Sequence, residues 1–423
     1  MKKLLQLISI ILLASVSSLN AQNVIRCATD EYNAAQVAAD PSISIERELI
    51  RQQVENFIQQ NAGQAKNLVV IPVVFHVLYA NAAQNIPDAK IIAQMEQLNL
   101  DYMAINPDTS NIPAAFKPHK GNVQVQFCFA QRTPTGAATN GIIRKSTTVT
   151  SWSQNDAIKF SAQMGDDIWN RNQYLNIWVG NISGGILGYA QFPGGSASTD
   201  GVVVHYGTVG SKNSPSTFNW GANYNWGRSA THEIGHWLGM FHTFQGGCPN
   251  TNCNSQGDQI CDTPPISTAN FGCPGYPHVT CSNGPNGDMF MNYMDYVDDN
   301  CMVMFSDSQS IKMNAVLNGT RSSLKTSPGC TPVGIFYPEA NIMASVYPNP
   351  STDFLNVSIT RKEVSDVEIS LINVIGTVLY RESFNNRREI ILKKDMKLIP
   401  DGFYFLNIKT PEGTLSKKIT VLH

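Results

Sequence analysis

The segment Gly227–Phe244, GRSATHEIGHWLGMFHTF, constrains this chain more than any other stretch. His232 and His236 are four residues apart and share one face of a helix, so their imidazoles reach a single cation. Glu233 stands beside them, placed to touch a water on that cation rather than the cation itself. A straight helix cannot carry a third ligand to the same point. Gly239 supplies the positive φ that ends a helix and lets the chain swing back, bringing His242 to the other two. Three neutral imidazoles with one position open suit a catalytic zinc. With 8 histidines and 31 glycines in 423 residues, a chance match of all five positions has a probability on the order of 10⁻⁵. The fold must therefore hold a helix, a turn and a return loop around one point.

Nine cysteines are present, six of them between Cys248 and Cys301. Whether these form disulfides or bind metal depends on the compartment. At the N-terminus Lys2 and Lys3 precede the apolar run Leu4–Val16 and then SSLNAQ, with Ala21 as a cleavage point, so residues 1–21 read as a secretory signal peptide. The apolar run is too short for a bilayer core, which needs roughly 20 residues, and Val24-Ile25-Arg26 before Cys27 does not suit lipid attachment. Leu68–Ala80, interrupted by Pro72 and His76, reads as a buried strand, so no transmembrane segment is expected in the mature protein. Export to an oxidising compartment favours disulfides. The net charge of -2, with no long run of one sign, excludes a nucleic-acid footprint.

Periodicity divides the chain into parts. Glu31–Gln60 places Ile43, Ile45, Leu49, Ile50, Val54 and Phe57 near a 3.6-residue period, and residues 22–62 are read as a helical N-terminal pro-segment. Residues 63–331 mix strand patterns (Asn67–Tyr79, Val123–Ala130, Tyr174–Val179, Gly201–Tyr206) with an amphipathic helix over Asp88–Met103, giving an α+β class. From about Asp258 to Cys301 the chain is rich in Gly, Pro, Asn and Cys, so its order must come from cross-links and bound metal. A linker follows at 332–344. Residues 345–423 alternate in short β-rich runs (Leu355–Ile359, Val367–Ile372, Phe403–Ile408, Lys418–Leu422), the pattern of a small β-sandwich.

The extended histidine motif resembles that of the metzincin metallopeptidases, whose chain passes a methionine turn beneath the metal; MNYMDY at 291–296 matches it. Together with GDQICDTP, GCP and CM, these segments resemble the pappalysin family, in its microbial ulilysin-like or cytophagalysin-like branch, over roughly Asn67–Cys330. That resemblance implies a mixed twisted sheet, an active-site helix and a loop-rich lower part stapled by disulfides. It also implies Met294 as the turn methionine, Tyr296 as hydrogen-bond donor to the oxyanion, and Glu233 as the group that takes a proton from the attacking water and returns it to the leaving amine. Within Ile186–Phe192, Gly188, Tyr189 and Ala190 correspond to the edge strand that pairs with substrate backbone. Asp299, after Asp298, matches the acid lining the pocket just beyond the scissile bond, which implies cleavage before Arg or Lys.

By the same resemblance Asp258, Asp262 and Thr263 form a calcium loop, whose hard oxygen donors suit that ion. Cys248–Cys281 and Cys273–Cys301 are the implied disulfides. Cys253 and Cys261 depart from the pattern and are left for a third bridge; six cysteines allow 15 pairings. Cys128 reads as a buried thiol and Cys330 has no evident partner. Cys27 lies where a thiolate could take the open zinc position and hold a precursor latent; pairing with Cys330 is its other reading. His76, His119, His205 and His278 lack ligand spacing and read as structural.

Val346-Tyr347-Pro348-Asn349-Pro350, Asn373-Val374-Ile375-Gly376, Pro400-Asp401-Gly402-Phe403-Tyr404 and Lys417-Lys418-Ile419 resemble, in that order, the C-terminal sorting domain of the type IX secretion system. The resemblance implies contact with that machinery and a secreted or cell-surface product; a carbohydrate-binding sandwich would need an aromatic platform that is not evident. The expectation is therefore a latent zinc endopeptidase acting on proteins or peptides, against the alternative of a catalytically weak surface-binding or adhesion protein that retains the zinc fold.

Overall fold

The computed structural model describes residues 24–212, 222–248, 252–333, 342–411 and 413–423. The expected signal peptide (1–21) and most of the expected linker (332–344) lie outside the described residues. Among them, no helix is long and apolar enough to cross a membrane.

The periodic N-terminal stretch forms two helices, α1 (Thr29–Ala39) and α2 (Ser42–Gln60), where the pattern suggested one helical run. The break falls at Asp40-Pro41, because proline disfavours helical geometry in the residue before it and lacks the N–H that an interior position donates. α2 buries Ile43, Ile50 and Val54. Ile45 and Leu49 fit the same period but face solvent.

The central sheet comprises β1 (Val69–Tyr79), β2 (Val125–Phe129), β3 (Ile142–Ser146), β4 (Leu175–Gly180), β5 (Gly188–Ala190) and β6 (Val202–His205). Its order is β2-β1-β4-β6-β5, with β3 against the second half of β1. The strands are parallel except β5, which lies antiparallel to β6 with Gly188 opposite Val204. β1 has partners along both edges and layers on both faces, which is why its sequence lacks polar alternation. Ile71, Val73, Phe75 and Val77 enter the main core, while Leu78 joins a cluster on the opposite face. Each such fully buried side chain contributes about 1.5–3 kcal/mol. His76 is fully buried, with Nδ1 2.7 Å from Asp166 and Nε2 3.0 Å from Asn176 Oδ1.

The main core is closed by α3 (Asp88–Tyr102) and α4 (Arg228–Trp237). Arg228 places a cation at a helix N-terminus, where the dipole disfavours it. Asp101, at the end of α3, offsets this: its carboxylate lies 3.3 Å from the guanidinium and also accepts from Thr231 (2.8 Å) and Tyr293 (2.9 Å). The pairing of Arg228 with Asp108 adds a second acid.

Between α4 and α5 (Asp307–Asn318) there is little regular structure. Three disulfides staple this part: Cys248–Cys281, Cys253–Cys261 and Cys273–Cys301. A fourth, Cys128–Cys330, corrects the reading of Cys128 as a buried thiol and supplies the partner that Cys330 lacked. Gly329 O accepts from Gln131 N at 2.8 Å, so the chain after α5 lies across the exit of β2 and presents Cys330 to it.

The C-terminal strands β7 (Ile342–Tyr347), β8 (Phe354–Asn373), β9 (Val378–Asp395), β10 (Gly402–Thr410) and β11 (Gly413–Val421) form one antiparallel set, ordered β9-β8-β10-β11 with β7 on β8. The runs 355–359 and 367–372, expected as separate strands, are halves of β8. Its register shifts between Thr360 and Ser365; the first half pairs with β7 and the second with β10. Both halves bury alternate residues (Leu355, Val357, Ile359; Val367, Ile369, Leu371) in a core shared with Leu406, Ile408 and Ile419.

Candidate metal centre

α4 ends where the motif requires. Gly239 has φ +86°, its N–H bonds His236 O (2.8 Å) and the N–H of Met240 bonds Gly235 O (3.0 Å), the paired closure of a Schellman turn. His242 then returns to the helix. His236 Nε2 lies 3.0 Å from the Nε2 of both His232 and His242, which are 3.3 Å from each other.

The protons of these rings are assigned by their other nitrogens. His232 Nδ1 is 2.7 Å from Tyr293 O, and His236 Nδ1 is 2.7 Å from Met240 O. A carbonyl only accepts, so each Nδ1 carries the hydrogen and each Nε2 presents a lone pair. His242 Nδ1 meets the Asp30 carboxylate at 3.0 Å, with the same result. Burial, then the neighbouring imidazoles, push His232 and His236 well below the usual histidine range, so they are neutral. Three lone pairs thus converge with no hydrogen among them, an arrangement suited to holding a cation. Their separations match tetrahedral zinc–nitrogen bonds of about 2.0–2.1 Å, which place ligand atoms ~3.3 Å apart. Among the described residues the group suited to a metal is these three histidines with Cys27, their ligand atoms all within 4.8 Å of one another.

Met294 packs beneath the helix. A Cβ on Gly235 would stand 2.5 Å from Met294 Sδ, so glycine is what lets the helix rest on that side chain. Tyr296 lies beside His232 and His242, with ring centroids at 5.7 and 4.9 Å. Its hydroxyl donates to Cys27 O at 3.3 Å, and burial keeps it protonated. Glu233 is fully buried. One carboxylate oxygen accepts from Thr29 Oγ1 (2.8 Å) and from Cys27 Sγ (3.5 Å), and the other has no partner. Burial pushes Glu233 up to about 8 against those two bonds. Gly188 on β5 sits directly over it: a Cβ there would be 2.7 Å from Glu233 Cγ.

Residues 25–28 cross this cleft parallel to β5, and the first turn of α1 (29–33) continues along it. Ile25 bridges to Ile186, the N–H of Ala28 bonds Gly188 O (3.0 Å), and the hydroxyl of Thr29 accepts from Ala190 N (2.9 Å). Arg26, 2% exposed, reaches Asp299, which is fully buried, at 2.6 Å. The other oxygen of Asp299 accepts from Trp226 N (3.0 Å) and Arg228 N (3.3 Å), so the same carboxylate holds the start of α4. Asp298, by contrast, is only partly buried. Arg26, Thr29 and Asp30 escaped sequence reasoning. They lie next to Cys27, but nothing local reveals that this stretch crosses a cleft formed more than 150 residues later.

The oxygen-rich loop is less convergent. Asp258 accepts from Thr263 Oγ1 at 2.7 Å, whereas Asp262 turns away to Ser306 Oγ (2.6 Å) and Ser308 N (2.8 Å) at the start of α5. Burial pushes Asp258 up to about 7.

Residues 159–318 match the family model described as pregnancy-associated plasma protein-A, and residues 345–422 match that of the secretion system C-terminal sorting domain. Mature mirolysin of Tannerella forsythia, solved with a cleaved peptide, is 43% identical, covering 61% of this chain and 96% of that one, with a TM-score of 0.57. A promirolysin mutant from the same organism is 38% identical, covering 71% of this chain and 96% of that one, with a TM-score of 0.62. An extracellular metalloprotease of Pyricularia oryzae is 42% identical over 143 residues, 34% of this chain and 47% of the relative. The chain thus spans about half the length of the curated relatives it matches.

Proposed function

We propose that this chain, which belongs to the pappalysin family of metallopeptidases, is a zinc-dependent endopeptidase exported as a latent precursor. The observation that carries this is the convergence of three Nε2 lone pairs beside a buried carboxylate. Zinc held by His232, His236 and His242 would polarise the scissile carbonyl and lower the pKa of water from about 15.7 to about 7. Glu233 takes the proton from the attacking water and hands it to the leaving amine, a role worth roughly 10²–10⁴-fold. The Tyr296 phenol donates to the developing oxyanion. Gly188, Tyr189 and Ala190 present the edge on which substrate backbone is laid. Asp299 takes the basic side chain following the scissile bond, and its pairing with Arg26 supports that reading, since a guanidinium already fits the pocket.

Residues 22–62 act as the pro-segment, 63–331 as the catalytic part and 345–423 as the sorting domain read by the secretion machinery, yielding a secreted or cell-surface protein. The related promirolysin structure covers more of this chain than the mature one does. Cys27 is the latency residue. Burial and the charge of Glu233 push its thiol well up, so a thiolate there needs a cation beside it, and zinc supplies one. The unprocessed Cys27→Ala chain should cleave a quenched peptide well above the near-zero rate of the unprocessed parent. Equal rates would remove Cys27 from the latency device.

Calcium is proposed for the loop of Asp258, Asp262 and Thr263, where binding would have to draw Asp262 back from Ser306 Oγ and Ser308 N. A buried carboxylate raised to about 7 is one that a bound cation would hold ionised. Metal removal should separate the two ions. A zinc-selective chelator is expected to abolish peptide cleavage. EGTA in zinc-replete buffer is expected to lower the melting temperature by several degrees, with reversal on adding calcium. Cleavage that survives zinc removal would overturn the peptidase reading, and an unmoved melting temperature in EGTA would overturn the calcium assignment.

A further inference from the structure

We propose that the catalytic part carries a pocket for a phenol side chain beside the cleft, filled in the precursor by Tyr32 and, after the pro-segment leaves, by a tyrosine of the substrate. The substrate half rests on the peptidase reading above; the pocket does not.

Tyr32 is 3% exposed and lies three residues, just under one helical turn, beyond Thr29 on α1, so it enters the molecule ~4.5 Å along the helix from the residue that touches Glu233. Its ring packs on Tyr189 of β5 at 4.8 Å between centroids. Its hydroxyl lies 2.9 Å from both oxygens of Asp156 and accepts from Lys159 Nζ at 3.0 Å. Lys159 is fully buried. Its remaining donors go to Asp156 (2.8 Å) and Thr199 O (2.7 Å), and its ammonium faces the rings of Tyr32, Trp178 and Tyr189.

Three features say the pocket is built for a hydroxyl rather than merely plugged. A fully buried ammonium is costly, and an apolar plug would be served as well or better by an apolar wall. Here a charged pair is kept where a phenol can both donate and accept. The Tyr189 hydroxyl is also buried without a partner beside the same ring. Asp156 holds φ +62°, a left-handed conformation that costs a non-glycine residue energy and aims its carboxylate at the phenol. Apart from Gln36, which donates to the phenol at 2.7 Å, the groups that meet it belong to the catalytic part, so the pocket outlasts removal of the pro-segment.

Its place relative to the cleft follows from the chain that fills it. Arg26 occupies the Asp299 pocket, Thr29 reaches Glu233, and Asn33 Nδ2 reaches Ala190 O at 2.9 Å. Tyr32 therefore lies on the side of Glu233 away from Asp299. A substrate with its basic residue on Asp299 extends its N-terminal portion toward this pocket, and the structure assigns it to a tyrosine within a few residues before the scissile bond.

Two measurements test this. In the full-length Tyr32→Ala chain, p-cresol should bind the emptied pocket at least about tenfold more tightly than toluene, the discrimination a charge-assisted hydrogen bond provides, and should raise its melting temperature while leaving the parent unmoved. Equal binding of the two probes, or none by p-cresol, overturns the pocket. In the processed enzyme, peptides carrying Arg after the scissile bond should show one preceding position at which Tyr exceeds Phe by about tenfold in kcat/KM, mainly through KM, and Asp156→Asn should erase that gap. Cleavage with no such position overturns the substrate half. If no peptide is cleaved at all, the peptidase reading fails, and the p-cresol result, which needs no activity, judges the pocket alone.

Discussion

Replacing Glu233 by glutamine should lower kcat/KM of the processed enzyme by roughly 10²–10⁴-fold, the usual contribution of a positioned general base, while zinc content stays at about one ion per chain. Glutamine keeps the volume and a carbonyl oxygen for hydrogen bonding, so the packing beneath Gly188 survives. What disappears is the capacity to accept a proton. The histidine nitrogens hold their orientation through Tyr293 O and Met240 O, neither of which the substitution touches. A variant that binds zinc normally and turns over within a few-fold of the parent would falsify the assignment of Glu233. A variant that loses zinc would show instead that the carboxylate shapes the metal site.

Asp299→Asn is expected to act twice. In the processed enzyme the preference for Arg or Lys over an apolar residue after the scissile bond should fall by on the order of 10²-fold, because a buried, charge-assisted contact becomes a neutral one. In the precursor the same change leaves Arg26 buried without its anion, and breaking one side of such a pair costs about 3–5 kcal/mol. The pro-segment should then release more readily, raising the activity of the unprocessed chain. Asparagine retains an oxygen for the N–H groups of Trp226 and Arg228, so the start of α4 keeps its acceptor. Unchanged side-chain preference, measured on a peptide library, would show that Asp299 serves the helix alone.

The three convergent histidines were legible because their geometry is local. A period of 3.6 residues places His232 and His236 on one face, and a single glycine with φ +86° accounts for the return of His242, all within 11 residues of chain. The signals for β1, α3 and the alternating C-terminal strands were readable for the same reason: burial imprints its own period on neighbouring residues. Local signals also misled. Ile45 and Leu49 fit the helical period of α2 yet face water, because the partner surface covers only the stripe through Ile43, Ile50 and Val54. The apolar halves of β8 read as two strands, since pattern alone does not show a chain continuing through a register shift.

The order of residues along the chain thus specified the three convergent histidines, the helix that bears two of them and the C-terminal sorting domain, because each depends on spacings of a few residues. Tertiary structure decided the rest. Only the adjacency of β1 and β2, with Gly329 laid across them, joins Cys128 to Cys330 over 202 residues. Only the path of residues 25–33 along β5 sets Arg26 on Asp299, Thr29 on Glu233 and Tyr32 on Asp156 and Lys159. The physical reason is common to all of these contacts. Separations of more than 100 residues are closed by the packing of sheets and helices as a whole, and no local period records which distant surface will be buried against which.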